Sequence, residues 1–116
     1  MNRLTATVSI AALLSLASHA AIAGTLSGVV KDNSGQALEG AMIRLTDPAS
    51  GMSESVFSNA RGEFVVTTAL QGKLTVRLRK PYHRDHIASI ELSDEATVNT
   101  DFTMEVMTDP REISDS

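Results

Sequence analysis

The stretch KPYHRDH, residues 80–86, places charge, two imidazoles and the only tyrosine of the chain side by side. His83 and His86 flank Asp85, and all three side chains are of types that bind zinc. A zinc site needs three or four ligands in fixed geometry, and the sequence shows no second cluster that would complete this one. Metal binding is therefore kept as an alternative, and no metal or other cofactor is predicted.

The same loop is the candidate interaction site of the chain, because loops carry binding residues more often than core elements do. Its candidate residues are Lys80, Tyr82, His83, Arg84 and His86. With Arg77 and Arg79, the cations of this loop would form a basic edge that steers a partner. In the simpler interpretation the loop is solvated and Tyr82 caps the end of the fold.

The sequence contains no constellation typical of a hydrolase. Serine, histidine and aspartate are present, but no G-x-S-x-G nucleophile elbow occurs. An internal isopeptide cross-link would use Lys31, Asn99 and an acid such as Glu63. Lys31 adjoins a turn, and a solvated lysine keeps a pKa too high to attack an amide. The sequence therefore predicts a protein that is not an enzyme.

Carbohydrate binding is a further alternative, and it needs exposed aromatic rings as stacking platforms. Phe64 and Phe102 have the spacing of core residues, which leaves Tyr82 nearly alone for that role. Four methionines raise the question of copper, but scattered methionines more often fill gaps in a core. These are Met42, Met52, Met104 and Met107.

Residues 1–23 have the pattern of a secretory signal peptide. Arg3 gives a positive start, residues 4–16 are mostly apolar, and Ala21 and Ala23 are the small residues of a cleavage site before Gly24. The apolar run is too short for the roughly 20 residues of a membrane-spanning helix. The sequence predicts a periplasmic or secreted protein that has no membrane anchor after cleavage.

Composition narrows the classes of partner. Removal of 23 residues from 116 leaves 93, and the loss of Arg3 moves the formal charge from −4 to −5. An acidic chain of this kind is unsuited to nucleic acid or to anionic lipid. The chain has no cysteine, so its stability must rest on burial and backbone hydrogen bonds rather than on disulfides.

Side chains alternate between apolar and polar along almost all of the remaining sequence, with turn residues between the segments. This spacing predicts seven strands and an antiparallel sandwich. The predicted strands are 25–31, 41–46, 53–58, 63–68, 74–79, 86–92 and 97–105. Residues 24–104 are assigned to one domain, and the acidic segment 105–116 is interpreted as a disordered tail or a linker.

The stretch VVKDNSGQALEGAMIRL, residues 29–45, joins the first two strands in an unusual way. Asp32 and Asn33 are suited to side-chain bonds within a turn, and Gly35 permits positive φ. Gly40 and Ala41 are small where the second strand begins, so we expect a close backbone approach or a bulge there. The stretch is interpreted as architectural rather than chemical.

Three segments in this order resemble the carboxypeptidase regulatory-like domain: SGVVKDNSGQALEGAMIRLTD, SNARGEF and LQGKLTVRLRKPYH. The resemblance covers about residues 25–104. It implies a prealbumin-like, seven-stranded Greek-key β-sandwich, which agrees with the strand count. Two positions depart from the family pattern, since Ser58-Asn59 replaces Thr-Asp and Pro81-Tyr82 replaces Gly-Tyr.

What the resemblance implies about function is a non-catalytic module, attached to an exported enzyme or receptor or standing alone. We therefore expect a structural or protein-interaction role, with another exported protein as partner. The alternative is a small periplasmic protein that binds a ligand, a carbohydrate or a metal through residues 80–86. Fold alone does not decide between these functions.

Overall fold

The computed structural model describes residues 23–108, which form eight β-strands and no helix. The strands are β1 (Gly24–Asp32), β2 (Met42–Thr46), β3 (Ser53–Phe57), β4 (Glu63–Thr68), β5 (Gly72–Arg79), β6 (His86–Leu92), β7 (Thr97–Asn99) and β8 (Phe102–Met104). This part of the chain contains no helix that could cross a membrane. Of the predicted signal peptide, only Ala23 lies within the described residues, and residues 109–116 of the predicted tail lie outside them.

The strands pair into two sheets that enclose one core. Sheet 1 has the order β4-β1-β7, with β8 also paired to β1, and sheet 2 has the order β3-β2-β5-β6. The chain crosses between the sheets after β1, β3, β4 and β6. The all-β sandwich predicted from the sequence is confirmed, and it is consistent with a prealbumin-like fold.

The last predicted strand, 97–105, is present as two short pieces that run parallel to β1, whereas the other pairs are antiparallel. The break lies beside Gly28, where a Cβ atom would come within 1.9 Å of the Thr100 carbonyl oxygen. Thr100 N–H donates to the Ser27 carbonyl (2.8 Å), and Val29 N–H donates to Asp101 Oδ1 (3.0 Å). The Asp101 carboxylate thus accepts the hydrogen bond from Val29 that a backbone carbonyl would accept in an unbroken strand.

The inward side chains of both sheets form one apolar cluster. On β5, Leu74, Val76 and Leu78 are completely buried, as their alternation predicts. Burial of each leucine contributes about 1.5–3 kcal/mol to the stability of the fold. The remaining buried apolar residues are Leu26, Val30, Leu38, Ala41, Ile43, Leu45, Phe64, Val66, Leu70, Leu92, Phe102 and Met104.

The connection from β1 to β2 begins with a turn built on Asp32. Its Oδ1 accepts hydrogen bonds from the amides of Ser34 (2.8 Å) and Gln36 (3.0 Å) and from the Ser34 hydroxyl (2.6 Å). Gly35 N–H donates to the Asp32 carbonyl, and Gly35 has a φ of 89°. The predicted side-chain turn is therefore present, with Asp32 as its acceptor.

The second half of this connection is fixed from β3. The Ser58 hydroxyl donates to the Leu38 carbonyl (2.6 Å) and accepts from Ala41 N–H (2.9 Å), and Ser58 is buried. Gly40 has a φ of 77°, but the nearest atom to a Cβ there would be Lys80 Nζ at 4.0 Å. Gly40 N–H donates to the Ser58 carbonyl (2.9 Å) and Ser58 N–H donates to the Ala41 carbonyl (3.0 Å), so two residues lie opposite one. The bulge expected at Gly40 and Ala41 is therefore present, and its geometry requires the positive φ that glycine permits.

Candidate functional site

The loop of residues 80–85 joins β5 to β6 at one end of the sandwich. Pro81 has no N–H, so it cannot continue the hydrogen-bonding ladder of β5. His83 N–H donates to the Lys80 carbonyl (3.2 Å) and closes a turn. Tyr82 within this turn has a φ of 65°, a conformation that costs a residue other than glycine about 1–3 kcal/mol.

The segment after β8 holds this loop in place. Arg84 N–H donates to the Glu105 carbonyl (2.9 Å), and Met107 N–H donates to the Tyr82 carbonyl (2.8 Å). A guanidinium nitrogen of Arg84 also lies 2.6 Å from Glu105 Oε2. Residues 105–107, the beginning of the predicted tail, thus pair with the loop, and the conformation of Tyr82 depends on them.

An open groove of about 950 Å³ lies between the loop and the adjoining ends of sheet 2. We call this space the loop groove. It is lined by Gly40, Met42, Phe57, Arg79, Lys80, Pro81, Tyr82, His83, Arg84, Asp85 and Met107. Four of the five candidate interaction residues line the groove, and His86 does not.

The two aromatic rings of the loop groove are exposed. Tyr82 is 59% exposed, and Phe57 at the end of edge strand β3 is 67% exposed. The interpretation of Tyr82 as a cap over the core is therefore wrong. Val56, whose direction the sequence left open, packs partly against the core, which turns Phe57 outward.

The polar side chains of the loop are largely engaged in structural contacts. Lys80 Nζ donates to the Glu39 carbonyl (2.7 Å), which ties the loop to the β1–β2 connection. His83 Nδ1 lies 2.8 Å from the Pro81 carbonyl oxygen. The loop is therefore fixed to the rest of the fold at Lys80 and by the segment after β8, and the contact between His83 and Pro81 stiffens the loop internally.

The two histidines do not form a metal site together. His86 lies at the start of β6, with its ring 5.5 Å from that of Phe102, whereas His83 faces the loop groove. Residues 23–108 contain no group of three or more His, Cys, Asp or Glu side chains placed to hold a metal ion. Asp85, the third residue of the metal-binding alternative, instead accepts from Arg77 and Arg79.

The predicted basic edge is part of a larger arrangement on the outer surface of sheet 2. Arg44 on β2 lies directly opposite Arg77 on β5, and Arg79 is opposite Met42. We call Arg44, Arg77 and Arg79 the arginine face. Sequence reasoning missed Arg44, because only the strand register brings it beside Arg77. Alternation alone indicated that Arg44 points outward from the core.

Among residues 23–108, two carboxyl groups have clearly shifted pKa values, and both belong to turns rather than to the loop groove. The Ser34 hydroxyl and the Gln36 amide hold the pKa of Asp32 below its ordinary value of 3.8. The side chains of Asn59 and Arg61 hold the pKa of Glu63 below its ordinary value of 4.5. Stabilised carboxylates of this kind are structural acceptors rather than acids or bases poised for catalysis.

The residues of the isopeptide alternative do not meet. Lys31 is exposed and pairs with Thr103 of β8, while Asn99 pairs with Ser27, four positions earlier on β1. Four residues of strand span roughly 13 Å. Glu63 bonds to the Arg61 guanidinium. The geometry needed for attack by a lysine on an amide is not formed.

Comparison with known families adds to this geometry. A sequence profile described as the carboxypeptidase regulatory-like domain matches residues 25–105. The chain belongs to this family. The match to the carboxypeptidase regulatory-like domain includes all eight described strands except Gly24, the first residue of β1, and the family is described as regulatory-like. A search among curated proteins found no match.

Solved structures with a similar sandwich come from proteins of different kinds. Catechol 1,2-dioxygenase from Pseudomonas arvilla C-1 superposes with a TM-score of 0.64 at 11% identity, over 78% of this regulatory-like domain chain and 54% of the dioxygenase. The Bacillus anthracis TIE protein gives 0.61 at 15% identity, over 73% and 17% of the two chains. A streptococcal ancillary pilin gives 0.57 at 14% identity, over 73% and 33%.

These likenesses show the fold alone. The chain spans 57%, 17% and 60% of the length of the first three solved structures it matches, so each of those proteins contains further parts. Enzymes and a pilin share this sandwich, so the fold does not indicate catalysis. The function of the regulatory-like domain must therefore be argued from its own side chains.

Proposed function

We propose that this regulatory-like domain is a non-catalytic protein-interaction module that binds another exported protein through the loop groove. The observation that carries the proposal is the pairing of two exposed aromatic rings, Phe57 and Tyr82, with the cations around them. Aromatic residues and arginine are the types that most often dominate binding energy at protein interfaces. Membership of a family that is described as regulatory-like supports the same conclusion.

The backbone of the loop also supports a binding role. Tyr82 keeps a strained φ of 65° although its ring is mostly exposed and contributes little to the core. Strain of this kind persists where surrounding structure imposes it, and it clusters at ligand-binding positions. The contacts to residues 105–107 impose the conformation and present the ring on a rigid support, which lowers the entropy cost of binding.

A non-catalytic role is supported by how the polar groups of the loop are used. Asp85 is held by two arginines, and His83 is held by the Pro81 carbonyl. Neither group is arranged with a nucleophile that it could activate. Export is proposed from the signal-peptide pattern of residues 1–23, and it sets the compartment in which a partner would be found.

Site-specific photocrosslinking tests this function. A photoreactive amino acid at position 82 should give one reproducible crosslinked partner in the exported fraction, identified by mass spectrometry. The matched control is Thr67, an exposed position on the outer surface of sheet 1. Phe57→Ser should abolish the crosslink from position 82, because its ring lines the same groove.

Equal crosslinking from positions 67 and 82 would contradict the proposal, since contact would then be unspecific. Survival of the position-82 crosslink in Phe57→Ser would remove the loop groove as the binding surface. Each variant should be checked by circular dichroism. Phe57 is exposed, so its replacement is expected to leave the sandwich folded.

Carbohydrate binding is the second candidate, and one observation favours it beyond what the sequence showed. Phe57 joins Tyr82 in the loop groove, so two exposed rings are available for stacking against sugar rings. The two candidate functions are separated by titrating the protein with a panel of neutral oligosaccharides and following the NMR chemical shifts of the Tyr82 ring. Saturable shifts with a sugar and no protein crosslink would favour this second function.

A further inference from the structure

The arginine face has an arrangement that is unfavourable for folding. Arg44 and Arg77 lie directly opposite each other on neighbouring strands β2 and β5, and both side chains are exposed. Like charges at directly opposed positions destabilise a sheet. On the other neighbouring strand, β3, the residue opposite Arg44 is Ser55, which provides no compensating charge. The fold therefore carries an electrostatic cost in the middle of sheet 2.

Part of this cost is offset by a carboxylate of the chain itself. Asp85 Oδ2 lies 2.8 Å from Arg77 Nη2, 3.0 Å from Arg77 Nε and 3.3 Å from Arg79 Nε. One carboxylate thus takes a forked contact from one arginine and a second contact from another. The surface of sheet 2 is already arranged to bind a carboxylate lying on it.

Arg44 lies outside this ion-pair cluster. Within residues 23–108 no carboxylate is within ion-pair distance of Arg44, and its guanidinium is exposed beside Arg77. Met42 and Phe57 extend the same surface toward the loop groove, because they are opposite each other on β2 and β3. Apolar groups beside an unpaired guanidinium are the composition of a protein-binding surface rather than of a purely solvated one.

The distribution of charge indicates the kind of partner. The chain is acidic as a whole, yet Arg44, Arg77, Arg79, Lys80 and Arg84 are all on sheet 2 or on the loop beside it. A positive region on an acidic protein attracts a complementary acidic surface. Arginine also matches the planar geometry of a carboxylate better than lysine does.

We propose that the arginine face binds an extended acidic segment of a partner protein, with a partner carboxylate on Arg44 and apolar side chains against Met42 and Phe57. This assignment rests on the proposed function and specifies its partner class. The contacts of Asp85 with Arg77 and Arg79 show how a partner carboxylate would contact Arg44. Phe57 lines the loop groove as well, so the two surfaces are continuous.

The test uses the full chain and a labelled synthetic peptide that alternates glutamate with phenylalanine and threonine. Fluorescence anisotropy gives its Kd for the wild type, for Arg44→Gln and for the matched control Arg61→Gln. Arg61 is an exposed arginine in the β3–β4 turn, paired with Glu63 and away from sheet 2. Arg44→Gln is expected to weaken binding about fivefold at low salt, and Arg61→Gln to leave it unchanged.

Two further readouts distinguish binding from a structural role. Arg44→Gln should raise the thermal midpoint slightly, because it removes the repulsion from Arg77, so weaker binding cannot be attributed to unfolding. The wild-type Kd should rise with salt, and a peptide with glutamine in place of glutamate should not bind.

Equal Kd values for wild type and Arg44→Gln would overturn the proposal. So would tighter binding of a sulfated polysaccharide, or a dimer in light scattering that Arg44→Gln dissociates. A variant with both Glu112→Gln and Asp115→Asn tests whether the chain's own acidic C-terminal segment competes for the surface. Tighter peptide binding by this variant would identify that segment as the occupant and would also overturn the proposal. If the peptide fails while the crosslink from position 82 persists, this inference is lost and the proposed function remains.

Discussion

At the scale of single residues, Tyr82 combines two properties that rarely occur together in a residue with no buried role. Its backbone is in the left-handed region, and its ring is 59% exposed. A residue chosen for stability alone at such a position would be glycine or asparagine. The chain thus keeps a ring at the loop groove at a cost in conformational free energy.

We predict that Tyr82→Gly raises the free energy of unfolding by about 1 kcal/mol, because glycine relieves the strained φ and little buried surface is lost. Urea unfolding followed by circular dichroism measures the change. Glu95→Gly is the matched control, since Glu95 has a φ of 60° in the β6–β7 turn, away from the loop groove. Both variants should gain stability, and only Tyr82→Gly should lose the proposed partner.

A loss of stability in Tyr82→Gly with a gain in Glu95→Gly would show that the ring of Tyr82 is itself structural. The case for a binding role at this position would then fail, whatever the behaviour of the rest of the loop groove.

Residue types alone predicted part of the candidate site. The clustering of Lys80, Tyr82, His83 and Arg84 was visible because these residues are consecutive or nearly so in the chain. Phe57 and Arg44 could not be placed with them, since they are distant in sequence and reach this surface only through strand register. His86 was grouped with the loop by sequence distance, but β6 begins there and the ring faces Phe102.

At the scale of elements, period-two alternation predicted the strands and their inward faces well. It could not predict the interruption between β7 and β8, because that interruption depends on a contact with another strand. The residue that permits it, Gly28, lies 72 positions before Thr100 along the chain and reads as an ordinary glycine within a strand. Parallel pairing with β1 is likewise a matter of topology and leaves no local pattern.

Gly28→Ala is expected to destabilise the fold by at least 2 kcal/mol, because its methyl group would lie 1.9 Å from the Thr100 carbonyl oxygen and backbone would have to move. Chemical denaturation measures the loss. Ser27→Ala is the control, since it introduces the same residue one position earlier and removes only a 3.3 Å bond to Asn99.

If the two alanine variants had equal stability, the close packing of β1 against the chain between β7 and β8 would be refuted. Loss of protection confined to the amides of residues 97–104 in Gly28→Ala would instead localise the damage to these short strands. Hydrogen exchange followed by mass spectrometry distinguishes that local opening from a global loss.

At the scale of the whole molecule, the two sheets are joined by crossing connections, and two of these depend on an ionised carboxylate. Asp32 fixes the β1–β2 turn, and Glu63 accepts from Asn59 and Arg61 at the β3–β4 turn. Glu63 is exposed and Asp32 is only half-buried, and both side chains stabilise the turns by direct hydrogen bonds. The link between the sheets is therefore sensitive to acid.

The sign of this dependence follows from the lowered pKa values of both groups. Each folded-state pKa lies below the ordinary value, 3.8 for Asp32 and 4.5 for Glu63, so the folded state favours the ionised form. The resulting stability is fully present above those ordinary values and is lost as the pH falls through the lower folded pKa.

We therefore predict that Asp32→Asn and Glu63→Gln are less stable than wild type at neutral pH, and that the differences disappear in acid. Urea midpoints measured from neutral pH into the acid range give these differences, with Asp94→Asn in the β6–β7 turn as a control of equal charge change. A difference between wild type and Asp32→Asn that stays constant as the pH falls would refute the role of the Asp32 carboxylate, because a neutral Asp32 would then hold the turn equally well.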